Sequence, residues 1–143
     1  MSTSFKFFHD AALTTAVSSA NPIQISHIYP GGATTDVQLW LGCADADLVT
    51  EADSDPGVDD IEISISDGDG GGTGNASTAV KLATAQSGLA GATAGAALAV
   101  GPSISGGVAG AFAFWLRFSN AAATAGVYTD ISLVTNTLRD SPA

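Results

Sequence analysis

The sequence predicts an all-β protein: an antiparallel β-sandwich of Ig-like kind, with a jelly roll or small barrel as the alternative topology. Three observations carry that prediction. Apolar residues recur with a period of two in several short runs, the mark of strands with one buried face. Turn-forming pairs and triplets separate the runs, among them Asn21-Pro22, Asp55-Pro56-Gly57, Gly101-Pro102 and Gly106-Gly107. No long segment spaces its apolar residues at the 3.6-residue period of an amphipathic helix.

The elements follow in chain order. SFKFF near the start and PIQISHI after Pro22 read as weak strands. TDVQLWLG is a clear one: Val37, Leu39 and Leu41 share a face opposite Asp36, Gln38 and Trp40. Val49 to Ala52 reads as a turn of helix. DIEISIS places Ile61, Ile63 and Ile65 inward, with Glu62 and Ser64 outward. AVKLAT supplies another weak strand over Val80 to Ala83. Leu89 to Val100 holds the one segment with helical character, because alanine favours a helix there while Gly91 and Gly95 oppose it. AFAFWLRF sets Phe112, Phe114, Leu116 and Phe118 against Ala113, Trp115 and Arg117, and VYTDISLVT sets Val127, Ile131 and Leu133 against Tyr128, Asp130 and Ser132. β-branched and aromatic residues dominate these runs, as a pleated, half-buried surface prefers.

At 143 residues the chain makes one domain, 1–143, with a Gly/Ala-rich loop region around 67–110. That region reads either as long connections or as a surface ordered against neighbouring subunits. The single cysteine, Cys43, has no partner for an internal disulfide. The N-terminal MSTSFKFFHDAALTT lacks the charge and apolar length of a secretory signal. No window reaches the roughly 18 apolar residues of a membrane span.

The formal net charge is −10, and only Lys6, Lys81, Arg117 and Arg139 are basic. Nucleic-acid binding requires cations to neutralise phosphates, so no nucleic-acid partner is expected. The same charge opposes contact with anionic membranes, and no membrane partner is expected either. Ten of the fourteen acids lie between Asp45 and Asp69, which directs attention to the loops of that stretch.

The glycine-rich SISDGDGGGTGNAS, Ser64 to Ser77, admits three chemistries. A phosphate cradle needs a lysine after its glycines, and Asn75 follows Gly74 instead. A calcium loop needs alternating oxygen ligands. Asp67 and Asp69 alternate, and Asp53, Asp55, Asp59 and Asp60 supply further oxygens from another loop. Against calcium, Gly71 stands where a third ligand belongs and no late glutamate follows. The plain reading is a strand connection kept soluble by its charges. Asp67 and Asp69 are thus the candidate calcium ligands, and no other cofactor is indicated.

Catalytic material is sparse. His27 with Asp36 and a serine makes a conceivable triad, but no nucleophile-elbow motif accompanies it, and His27 continues the alternation of Ile23 and Ile25. The expectation is a non-enzyme. Trp40 and Trp115 project from the faces opposite the apolar triplets of their strands. There they either anchor an interface or lie beneath a loop or the N-terminal segment.

GGATTDVQLWLGCADAD, then DIEISISD, then GPSISGGVAGAFAFWLRF and VYTDISL together resemble the small β-sandwich structural proteins of tailed bacteriophage particles. The resemblance spans Phe5 to Leu133 and lies in strand rhythm, without a diagnostic motif. It implies a non-enzymatic virion protein, made in the host cytoplasm, that decorates the capsid or forms part of the tail or baseplate. Its partners would be other virion proteins, and it would act as a homo-oligomer or in repeated copies. The rival expectation is a calcium-dependent carbohydrate- or receptor-binding module using Trp40 or Trp115 and the Asp-rich loops.

Overall fold

The computed structural model describes residues 4–25, 34–68, 76–119 and 131–143. They form ten strands, three single 3-10 turns and no α-helix. The strands are β1 (Lys6–Phe8), β2 (Thr34–Gly42), β3 (Leu48–Ala52), β4 (Ile61–Asp67), β5 (Val80–Ala83), β6 (Leu98–Gly101), β7 (Ser103–Ser105), β8 (Phe112–Ser119), β9 (Ile131–Thr135) and β10 (Leu138–Pro142). All pairings are antiparallel. The protein is all-β, as its periodicity predicts.

One sheet has the order β1-β2-β8-β5. The clean alternation of TDVQLWLG and AFAFWLRF makes β2 and β8 its centre, with Leu39 opposite Phe114 and Val37 opposite Leu116. The other two sheets are three-stranded, β6-β4-β9 and β7-β3-β10. Their orders match, because each outer pair is nearly one chain: Pro102 alone separates β6 from β7, and Asn136 and Thr137 separate β9 from β10. They are two halves of a second layer. Leu39, Leu41, Phe114 and Leu116 from the first sheet meet Ile61, Ile63, Ile104 and Leu138 from the second layer in one core. Each large apolar side chain buried this fully contributes about 1.5–3 kcal/mol.

The line between the halves is a corner. Ala52 faces Leu138, and Ile61 would continue the ladder opposite Thr137, since Ile63 faces Thr135. On the other flank Ile61 faces Gly101 while Glu51 faces Ser103. To both neighbours, therefore, Ala52 and Ile61 are successive, and the residues Asp53 to Asp60 form an excursion out of the central strand. Ala52 and Ile61 are both fully buried, so the in-out alternation is reset here. A register irregularity beside Ile61 and Glu62 absorbs the same step against β6. Asn136 fastens the corner: its Oδ1 accepts from the Glu62 N–H at 3.0 Å and its Nδ2 donates to the Asp60 carbonyl at 3.1 Å.

Several local expectations change. Val49 to Ala52, expected as a turn of helix, lies in strand β3. Its inward residues are Thr50 and Ala52, and the Thr50 hydroxyl donates to the Arg139 carbonyl at 3.3 Å. The helical character of Leu89 to Val100 is not realised either. That stretch continues from a 3-10 turn, Gln86–Gly88, and ends in strand β6. Within 67–110, the described residues include all of β5, β6 and β7. Pro22 to Ile25 has no strand pairing, although Ile23 and Ile25 pack on the core. The remainder of PIQISHI lies outside the described residues, as do His27, Asp69, Asn75, Val127, Tyr128 and Asp130.

Candidate functional site

The first sheet turns a mixed polar and aromatic face away from the core. Register assigns its rows. Phe8, Trp40 and Ala113 form one, Gln38, Trp115 and Ala83 the next, and Asp36, Arg117 and Lys81 the third. Trp40 and Trp115 are both half-buried. They thus share this outer face, as their alternation predicts, on diagonal positions of β2 and β8.

Two segments of the chain itself flank them. Leu13 is buried, and its Cδ1 stands 3.2 Å from where a side chain on Gly42 would begin. Gly42 continues the outward series of Gln38 and Trp40, so Leu13 covers that end. Leu13 has a positive φ of 56°, which costs an L-residue about 1–2 kcal/mol. Asp10 holds the strained turn, accepting from the Thr14 hydroxyl at 2.6 Å and the Thr15 N–H at 2.9 Å. At the other end Leu89 is fully buried. Its segment is tied to the outward row by Gln86, whose Nε2 donates to Asp36 Oδ2 at 3.2 Å, and by Lys81, whose Nζ donates to the Ala90 carbonyl at 3.4 Å. Both tryptophans are half-buried within the single chain.

Asp36 is the polar centre of this face. Arg117 stands directly opposite in the ladder and grips it with two bonds, Nε to Oδ1 at 2.7 Å and Nη2 to Oδ2 at 3.0 Å. Such a forked pair fixes orientation as well as charge. Arg117's hydrogen bonds hold the Asp36 carboxyl below its ordinary value of 3.8. A carboxylate lowered in the folded state contributes stability that is fully present above its unfolded pKa and is lost as pH falls through the folded one. We therefore expect Asp36→Asn to lower the urea midpoint at neutral pH, with the gap from the native protein closing as pH drops below 3.8. A gap that stays constant over that range would mean that the carboxylate charge is not what Arg117 uses. The structure thus pairs Asp36 with Arg117 and Gln86, and His27, its expected partner in a triad, lies outside the described residues.

The second acidic feature is the excursion Asp53 to Asp60, exposed at every residue. It is internally braced. The Ser54 hydroxyl donates to Asp59 Oδ2 at 2.6 Å, the Val58 and Asp59 N–H groups donate to the Asp55 carbonyl at 3.0 Å, and Asp53 N–H donates to the Thr137 carbonyl at 2.9 Å. Arg139 Nε lies 3.3 Å from Asp53 Oδ1. Both of those side chains are about half exposed or more, and such a pair contributes little.

Asp67 closes β4, and its expected companion Asp69 lies outside the described residues. Among the described residues no three His, Cys, Asp or Glu side chains converge as metal ligands. Cys43 is buried and free, its Sγ accepting from the Asp45 N–H at 3.4 Å. No described helix is long and apolar enough to cross a membrane. Asn136 is the residue that sequence reading misses. A lone asparagine between two short strands carries no signal until the corner it fastens is known.

No known protein family, curated protein or solved structure matches this chain.

Proposed function

We propose that this chain is a non-enzymatic structural protein of a tailed bacteriophage virion, acting through protein contacts as capsid decoration or as part of the tail or baseplate. The observation that carries the reading is the braced acidic excursion at the corner of the second layer. Its eight residues, Asp53 to Asp60, are all exposed, and hydrogen bonds to Asn136 and Thr137 hold its ends. A loop held in one shape on a layered scaffold presents a defined contact surface without ordering cost at each association. Its negative charge suits a particle exterior or tail and would repel packaged DNA. The resemblance of its strand rhythm to that of phage structural proteins points the same way.

The test is direct. Particles purified from a culture of the organism that encodes the chain should contain its peptides at a fixed, repeated copy number by quantitative mass spectrometry. Soluble chain in the lysate, with none in the particles, would defeat the proposal.

A further inference from the structure

An open sheet edge invites pairing, and natural sheets blunt their edges with short strands, charges, prolines, bulges or covering loops. Every described outer edge here but one carries such a device. Strand β1 is three residues long and is bridged by Ala16. The Val80 carbonyl of β5 accepts from the Gly95 N–H at 2.8 Å. Strand β6 has the register irregularity and runs into Pro102, and β7 is three residues long. Strand β10 carries Arg139, Asp140 and Pro142. Strand β9, ISLVT, carries none of these: it is uncharged, free of proline and in unbroken register with β4 from Ile131 to Thr135. Its outward-facing Val134 is 39% exposed.

The outward backbone groups of β9 can be named. Asn136 donates its N–H to the Glu62 carbonyl at 3.3 Å. An antiparallel strand points alternate residues at alternate neighbours, so positions 132, 134 and 136 address β4. Ile131, Leu133 and Thr135 therefore present their N–H and C=O groups away from it. No described strand pairs with that side.

We propose that this edge pairs with the β9 of a second copy of the chain, antiparallel about a two-fold axis at Leu133. In that register Leu133 faces its own counterpart, Ile131 faces the other copy's Thr135, and all the outward groups are satisfied. The two β6-β4-β9 sheets become one continuous sheet with both core faces on the same side. Register selects the occupant: a second β9 offers the same outward groups at 131, 133 and 135 in the matching antiparallel order. Two copies each at −10 repel one another wherever their acidic loops approach, and the uncharged β9 edge is self-complementary. Of the acids nearest to β9, Glu62 and Asp67 lie on β4, and Asp130 precedes Ile131 in the sequence. Three strand spacings put the two β4 strands about 14 Å apart, beyond the Debye length of about 8 Å at physiological salt. The inference rests on the reading of a protein that works in repeated copies.

The experiment is sedimentation velocity on the native chain and on two double variants, with far-ultraviolet circular dichroism confirming the fold. The first variant carries Ser132→Glu and Val134→Glu, the second Ser132→Lys and Val134→Lys. Both positions are exposed, and each faces the other across the proposed pair. Native chain should dimerise at micromolar concentration, more tightly as salt rises. Either variant alone should dimerise roughly tenfold more weakly, and an equimolar mixture of the two should recover a mixed dimer. A native chain that stays monomeric at high salt and high concentration would overturn the inference. So would an oligomer that both variants leave unchanged, although that result would keep the repeated-copy reading and move the contact elsewhere. Absence of the chain from particles would remove the virion reading and leave β9 pairing standing.

Discussion

Phe114→Ala should destabilise the fold by about 3–5 kcal/mol, the usual cost of emptying a fully enclosed aromatic site. Phe114 is wholly buried at the middle of β8 and faces Leu39 across the ladder. Phe7 meets its ring edge-on, with centroids 5.9 Å apart at 68°, and Phe112 stacks on it at 6.4 Å and 23°. Truncation removes transfer energy and both ring contacts, and it leaves a void that rigid strands on either side cannot close. Since domains of this size are stable by only about 5–15 kcal/mol, the variant should unfold at far lower urea, read by the fluorescence of Trp40 and Trp115. Phe112→Ala, at a half-buried position, should cost clearly less. Equal losses for the two would mean that β8 does not present Phe114 to a shared core.

Gly106→Ala should cost about 2–4 kcal/mol by forcing backbone apart. A methyl group at Gly106 would overlap the Asp45 carbonyl oxygen and lie 2.8 Å from that of Leu48. The glycine cannot retreat, because its N–H donates to the Leu48 carbonyl at 2.7 Å, and the next N–H, from Gly107, donates to Cys43 at 2.7 Å. These bonds press the turn after β7 onto the link between β2 and β3, where one layer passes to the other. Gly91→Ala is the matched control, since a methyl group there meets nothing within 4 Å. It should leave the urea midpoint unchanged or raise it slightly, because alanine restricts the unfolded chain. If both variants behave alike, the close approach at Gly106 is not what holds that link.

Legibility of the fold followed the size of the inward residues. Strands β2, β4 and β8 announce themselves because valine, leucine, isoleucine and phenylalanine occupy alternate positions. Strand β3 is hidden because its fully buried positions hold Thr50 and Ala52 while Val49 and Glu51 point less inward. An apolar count therefore gives the wrong face. Strands β6 and β7 are short, surrounded by alanine and glycine, and split by Pro102, so composition suggested a helix or a loop where pairing with β4 and β3 imposes a strand. Strand β10, LRDSP, has one buried apolar residue, Leu138. The outer face was legible in part. Alternation put Trp40 and Trp115 on it, but the clasp between Asp36 and Arg117 joins residues 81 apart in sequence and depends on a register that no local pattern specifies. The burial of Leu13 and Leu89 was likewise invisible, because each is an isolated leucine in a turn.

The excursion between Ala52 and Ile61 makes this protein a natural carrier. Both neighbouring strands treat those two residues as consecutive, so the sheet does not register how many residues lie between them. Lengthening the loop adds only closure entropy, about 0.6 kcal/mol for each doubling. A foreign peptide spliced between Asp55 and Val58 would leave Asn136 its grip on Asp60 and Glu62. It would stand at the corner of the second layer and would part the Val58 and Asp59 N–H groups from the Asp55 carbonyl, so the scaffold would keep its fold while the loop exchanged its own surface for that of the guest.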